Sequence, residues 1–255
     1  MSGPVPAVIL AGGSCSAEFT AAAGTPWRAA ADINGWPMVR YVIQALKDAS
    51  VISRIVLVAP KGFPQQPGVD FQLYGDQDLP GNIAIGLAEC ARSEYALLVT
   101  ADIPFVTPES IDSYVRQSLA AEADLCYAAI PQEACERRFP GMRRTYLHTP
   151  GMVLTGGNVV LQRISAFERQ ASLVREAYEH RKNPLFLVRL IGLGNVVRFL
   201  RKQLTPADIE SAASRMMGTQ CRLMITGHAE LGSDVDKPDD LALARKWLFP
   251  PESTS

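Results

Sequence analysis

The stretch Val5-Pro6-Ala7-Val8-Ile9-Leu10-Ala11-Gly12-Gly13 decides the fold. From residue 5 to residue 11 every side chain is apolar, so the run has no face to offer to water. A strand of that kind fits the middle of a parallel sheet covered on both sides. The two glycines that end it let backbone N–H groups come close to a ligand and accept positive φ. The pattern repeats downstream. Residues 38–49 read as a helix with Met38, Tyr41, Val42, Ala45 and Leu46 in one stripe. Residues 54–59 form a second buried strand, 69–74 a weaker third, and 95–100 a fourth, with a helix over 82–91 between the last two. Thr107-Pro108 has the form of an N-cap followed by proline at the first helical position, which predicts a helix to about residue 121. A fifth strand follows at 125–130. This βαβα order predicts an α/β fold with a mostly parallel sheet flanked by helices. Such sheets bind ligands beyond the carboxyl ends of their strands, which points to the loops at 11–28, 75–82 and 101–104.

The second half is less regular. Short strands are expected within 140–155, and another apolar run at 158–162 follows Gly156-Gly157. Residues 164–218 read as a helical insertion broken by Pro184, Gly192, Gly194 and Pro206, with Thr205 and Asp208 forming a capping box. A strand at 221–226 and a helix from Pro238 to about residue 248 complete the chain. Residues 184–200 are strongly apolar yet contain Arg189 and Arg198, which would be costly inside a bilayer. The readings for this segment are a helix packed on the sheet, a homodimer contact, or a basic amphipathic face against a membrane or an anionic lipid-like substrate.

Composition excludes several classes. With 25 Lys+Arg against 26 Asp+Glu, the 255-residue chain has a formal net charge of −1, which argues against a strongly basic nucleic-acid binder. Five scattered cysteines and three dispersed histidines show no zinc or disulfide spacing. Reduced thiols and an N-terminus without a basic region point to the cytoplasm and against a signal peptide.

Three segments carry candidate chemistry. Gly12-Gly13 can form an anion cradle from successive N–H groups, although its spacing matches neither a Rossmann fingerprint nor a P-loop. Asp102, just past a central strand, is placed to hold Mg²⁺ against phosphate oxygens, or else to cap a turn. In Asp234-Val235-Asp236-Lys237-Pro238-Asp239-Asp240, the extended part puts Asp234 and Asp236 on one face. Asp239 and Asp240 fall in the first helical turn and read as structural. Asp236 is the better metal candidate, with a helix N-cap as the alternative for it and for Asp234.

Together these segments resemble the molybdenum-cofactor guanylyltransferase-like nucleotidyltransferases, relatives of the nucleotide-sugar pyrophosphorylases. The resemblance rests on Leu10-Ala11-Gly12-Gly13, Asn34-Gly35-Trp36-Pro37-Met38-Val39, Thr100-Ala101-Asp102-Ile103-Pro104, Gly156-Gly157-Asn158 and the Asp234–Leu241 segment, in order across nearly the whole chain. It implies a glycosyltransferase-A-type, Rossmann-like fold over residues 1–255 as one NTP-transferase-like domain. It also implies an NTP, Mg²⁺ (or Mn²⁺), and attack of a phosphorylated small-molecule acceptor on the α-phosphorus with release of pyrophosphate. By the same resemblance, Asp102 and Asp236 are metal ligands, and Leu10, Ala11, Gly12, Gly13, Asn82 and Asp102 bind nucleotide. Gly157 and Asn158 lie on the acceptor side. Arg28 stands where the family has a lysine, and Glu18 stands near the position of its early basic residue. Arg143, Arg144 and Lys237 are candidate compensating cations. A non-catalytic nucleotide-binding protein and a glycosyltransferase using a nucleotide-sugar are the alternatives.

Overall fold

A computed structural model describes residues 3–13, 15–75, 78–179 and 192–250. In chain order the strands are β1 (Val5–Leu10), β2 (Asp32–Ile33), β3 (Trp36–Pro37), β4 (Ile52–Ala59), β5 (Phe71–Tyr74), β6 (Tyr95–Thr100), β7 (Leu125–Pro131), β8 (Leu147–Thr149), β9 (Met152–Arg163) and β10 (Cys221–Ile225). The helices are α1 (Ala17–Ala23), α2 (Met38–Asp48), α3 (Leu79–Glu89), α4 (Pro108–Ala120), α5 (Gln132–Arg138), α6 (Ile164–Glu179), α7 (Leu193–Leu200), α8 (Pro206–Met217) and α9 (Pro238–Trp247). The main sheet runs β10-β7-β9-β6-β1-β4-β5, with β8 paired to β9. β1 pairs in parallel with β4 and β6, β4 with β5, and β7 with β10. β9 runs antiparallel between β6 and β7. The α/β reading therefore holds.

The both-faces-apolar pattern of β1 has the expected cause. Ala7 and Ile9 face one core with α2, α4 and α9, while Val8 faces a second with α3 and α6. β4 and β6 alternate in the same way: Leu57 and Leu97 enter the first core, Val56 and Leu98 the second. Tyr114 of α4 is fully buried, and its hydroxyl donates to the Cys126 carbonyl at 2.6 Å and accepts from Leu161 N at 3.3 Å. It thereby fastens α4 to β7 and β9, and burial pushes its phenol pKa up. Asp124 ties three strand ends together: its carboxylate meets Arg163 Nε at 3.0 Å, accepts from Gln220 N at 3.1 Å, and takes the Thr219 hydroxyl.

Several boundaries differ from expectation. α3 begins at Leu79, three residues early, because Asp78 caps it by accepting from Gly81 N at 2.9 Å. Pro80 sits in its first turn, where a missing N–H costs nothing. Gly156-Gly157 do not interrupt a strand; they lie inside the continuous β9. α1 arises within a stretch read as loop, because Ser16 accepts from Phe19 N at 3.1 Å and Phe19 anchors it in the core. The described part of the 164–218 region forms the helices α6, α7 and α8, with residues 201–205 as a non-helical link between α7 and α8. Residues 184–191 of the apolar 184–200 segment lie outside the described residues. Among the described residues no helix is long and apolar enough to cross a membrane. The five cysteines form no disulfide.

Candidate active site

The carboxyl ends of β1 and β6 define the site. Ala11 N donates to Val58 O at 2.9 Å and Ala101 N to Leu10 O at 3.1 Å, so both strands stay in register up to the loops that follow. Beyond them opens a cleft of about 510 Å³, lined by Leu10, Ala11, Gly12, Gly13, Arg28, Asn82 and Asp102, together with Ala29, Asp78, Leu79, Thr100 and Ala101. All the residues read from sequence as nucleotide-binding thus share one cleft, along with Arg28. Thr100 and, within the 75–82 loop, Asp78 and Leu79 were not singled out individually as site residues; the Asp78 cap was detectable as an Asp three residues before a glycine at a helix start.

Asn82, in the first turn of α3, is buried beneath the glycines. A Cβ on Gly12 would lie 2.7 Å from its Nδ2, and one on Gly75 would lie 2.2 Å from its Oδ1. Any side chain at position 12 would therefore have to displace the Asn82 amide, besides any role of the glycine toward an anion.

Arg28 begins a 3-10 turn, Arg28–Ala30, closed by Ala31 N donating to Arg28 O at 3.0 Å. Its Nη1 lies 2.9 Å from Asp102 Oδ2 and 2.5 Å from Asp236 Oδ1. The two carboxylate oxygens, each within its stated distance of one nitrogen, are thus at most 5.4 Å apart. Burial disfavours the guanidinium charge, but the hydrogen bond and charge of Asp102, with the charge of Asp236, outweigh it and raise the Arg28 pKa. Val235 N donates to Asp102 O at 2.8 Å, joining the two acidic segments through the backbone.

Asp234 and Asp236 face each other as their spacing implied, and neither caps α9. The cap position is Lys237, whose N–H donates to Asp240 at 3.2 Å. Asp234 is taken by Arg144, with Nη1 at 3.1 Å from its carboxylate and Nη2 donating to its carbonyl at 2.8 Å. Burial, with Asp236 as a like-charged neighbour, pushes the Asp234 carboxyl pKa up, and Arg144 opposes that rise. Arg144 therefore secures the acidic segment, while Arg143, Lys237 and Glu18 are exposed.

Gly157 and Asn158 do not line this cleft. They sit in β9, where the pairing with β7 shifts register, just past the last β6 pair, Val99 with Val159. A Cβ on Gly157 would lie 2.6 Å from Ala128 Cβ, so packing alone demands glycine there.

No group of three or more His, Cys, Asp or Glu among the described residues forms a metal cage. Mg²⁺ does not need one: it is bound through one or two carboxylates plus waters and substrate phosphates. Asp102 Oδ1 is buried without a hydrogen-bond partner, and a cationic nitrogen already stands between Asp102 and Asp236. These donors fit a hard divalent ion.

Residues 7–207 match the family model of the MobA-like NTP transferase domain. No curated protein sequence matches. A hypothetical transferase from Thermus thermophilus is 32% identical, with 93% of this chain and 99% of that chain covered and a TM-score of 0.81. CMP:2-keto-3-deoxy-manno-octonic acid synthetase complexed with CTP gives a TM-score of 0.62 at 14% identity, covering 95% and 97%. 2-C-methyl-D-erythritol 4-phosphate cytidylyltransferase, also from Thermus thermophilus, gives 0.52 at 15%, covering 95% and 98%. At those identities the latter two show the fold. With its domain match, its 32%-identical Thermus relative and a glycine-lined cleft at the carboxyl ends of a mostly parallel sheet, the chain belongs to the MobA-like NTP transferase family and is a nucleotidyltransferase.

Proposed function

We propose that the protein transfers a nucleoside monophosphate from an NTP to a phosphorylated small-molecule acceptor and releases pyrophosphate, with Mg²⁺ or Mn²⁺ as cofactor. One observation carries this reading: Asp102 and Asp236, distant in sequence, converge on one cationic nitrogen of Arg28, a residue that lines the cleft. Asp102 and Asp236 would hold the divalent ion, which supplies charge neutralisation on phosphate oxygens. The N–H groups of Gly12 and Gly13 would cradle the triphosphate, and Arg28 would add a planar, bidentate phosphate contact. Asn82 would lie toward the base, and Gly157 and Asn158 toward the acceptor.

An acceptor phosphate is already a nucleophile, so no activating base is required. Its oxygen bonds to the α-phosphorus, the bond from that phosphorus to the bridging oxygen breaks, and pyrophosphate leaves with the electron pair. What the protein contributes is in-line positioning and preorganised charge. In keeping with its unpaired cysteines, the protein is read as a cytoplasmic enzyme of one NTP-transferase-like domain.

The test is to incubate the protein with each NTP, Mg²⁺ and a panel of sugar and alcohol phosphates while following pyrophosphate. Asp102→Ala is expected to lose about 10²–10³ in kcat, the cost of deleting one key transition-state stabiliser. Undiminished turnover in that variant refutes the assignment. Tight NTP binding without turnover for any acceptor supports a nucleotide-binding protein of the same fold.

A further inference from the structure

We propose that Arg28 is an exchangeable internal cation: without nucleotide its guanidinium occupies the divalent-ion position between Asp102 and Asp236, and it yields that position only by moving onto the triphosphate. The inference rests on the site reading above. One nitrogen, Nη1, contacts both carboxylates, at 2.9 and 2.5 Å, so a divalent ion held by the same two residues would have to displace it. The move is short, because a Cβ built on Gly13 would lie 3.9 Å from that same Nη1; the guanidinium already borders the glycine cradle. Its far side has support, with the Arg28 Cζ 5.9 Å from the ring of the fully buried Phe19.

Charge makes the exchange coupled. Two carboxylates and one guanidinium leave the closed site with a net charge of about −1, a standing attraction for a divalent ion. The ion alone, however, must expel Arg28 from two carboxylates into a cleft whose other lining carboxylate, Asp78, is engaged in capping α3. An NTP supplies a new anion, so metal and nucleotide each remove the obstacle to the other. Metal binding is then limited by the fraction of molecules in which Arg28 has swung out. If that state holds the roughly 0.1–10% usual for a minor conformer, apparent metal affinity is weakened roughly ten- to a thousandfold.

The experiment is a Mn²⁺ titration without nucleotide, followed by electron paramagnetic resonance, on wild type, Arg28→Ala, Arg28→Lys and the double variant Arg28→Ala/Asp102→Ala. Arg28→Ala is expected to bind Mn²⁺ roughly tenfold or more tightly than wild type, within the range just derived. Arg28→Lys, with a compact ammonium that cannot fork, is expected to fall between them. It also keeps the comparison open if the alanine variant does not fold. A non-hydrolysable NTP analogue should tighten Mn²⁺ binding in wild type far more than in Arg28→Ala. Equal or weaker Mn²⁺ binding in both Arg28 variants, with loss in the Asp102 double variant, overturns the exchange and leaves the metal site standing. Mn²⁺ binding that survives the loss of Asp102 overturns both.

Discussion

The contact between Gly12 and Asn82 gives a prediction that can be worked from the structure. Replacing Gly12 by alanine would put a Cβ 2.7 Å from Asn82 Nδ2 and 3.9 Å from its Cγ. The amide has little room to retreat. It is buried, and its Oδ1 end packs so closely on Gly75 that a Cβ there would come within 2.2 Å. Overpacking of this kind costs about 1–3 kcal/mol, and at this chain length each kcal/mol lowers Tm by about 2–4 °C. Asn82→Ala removes the obstacle while losing buried contacts of its own. The two substitutions should therefore be non-additive: the double variant is expected to be more stable than the sum predicts by about 0.5–3 kcal/mol, the usual coupling of residues in contact. The assay is urea denaturation of wild type, both single variants and the double variant, with NTP affinity measured on the same four proteins. Gly12→Ala alone should weaken NTP binding, because the displaced amide intrudes on the cleft that both residues line. A Gly12→Ala protein as stable as wild type, or a strictly additive cycle, refutes the claim that this glycine is set by the Asn82 approach.

Asp124→Asn should lower stability by about 1.5–3 kcal/mol at neutral pH, as expected for hydrogen bonds to a charged group. Although desolvation raises the Asp124 pKa, the Thr219 and Gln220 hydrogen bonds and Arg163 outweigh it and leave the pKa below the usual carboxylate value. A depressed folded-state pKa gives stability that is complete above the unfolded value and lost as pH falls through the folded one, so the variant's deficit in thermal scans should vanish in acid; a constant difference from neutral to strongly acidic pH would contradict this. Tyr114→Phe removes the donor to Cys126 O and the acceptor of Leu161 N, and should cost about 1–3 kcal/mol in urea denaturation with the fold retained. Arg144→Ala leaves Asp234 without its ion-pair partner; because that carboxylate is only partly buried, the expected loss is about 2–3 kcal/mol, below the cost of breaking a fully buried pair, with NTP turnover also impaired. An unchanged denaturation midpoint would show that Arg144 does not secure the segment.

The parts of this molecule legible in the sequence are those in which one physical requirement dominates. β1 and β6 had to be apolar on both faces because helices cover the sheet on each side, and their limits were readable from that alone. α4 announced itself through Thr107 and Pro108, which cap it as expected, with Ser110 completing the box. What escaped had two competing requirements or too few residues. α1 and α5 are seven residues each, too short to show a helical period. In β9, Gly156-Gly157 have the composition of a turn, yet Gly157 is there because Ala128 leaves no room for a Cβ. Gly12, Gly13 and Asp102 stood out because they follow strands; Asn82, inside α3, was read only from the family resemblance. The Arg28 bridge was not, since it depends on a 3-10 turn with no periodic pattern and on a partner segment far along the chain.

The carboxylate pair is in the end a property of backbone register. Asp102 leaves β6 at a height set by Ala101 N on Leu10 O, and its own carbonyl receives Val235 N. Val235 is fully buried, so the segment cannot slide toward solvent, and Arg144 grips Asp234 from the other side. Asp236 is thereby delivered to Arg28 by a strap held at two successive residues. Arg28, by contrast, reaches the same point with a long side chain from a short turn. It follows that replacing Arg28 should leave the placement of Asp102 and Asp236 nearly intact, whereas loosening the strap at Val235 or Arg144 should separate them even with Arg28 present. Two carboxylates held by the backbone and one cation held only by its side chain are the arrangement in which the cation, and not the carboxylates, yields to a metal ion.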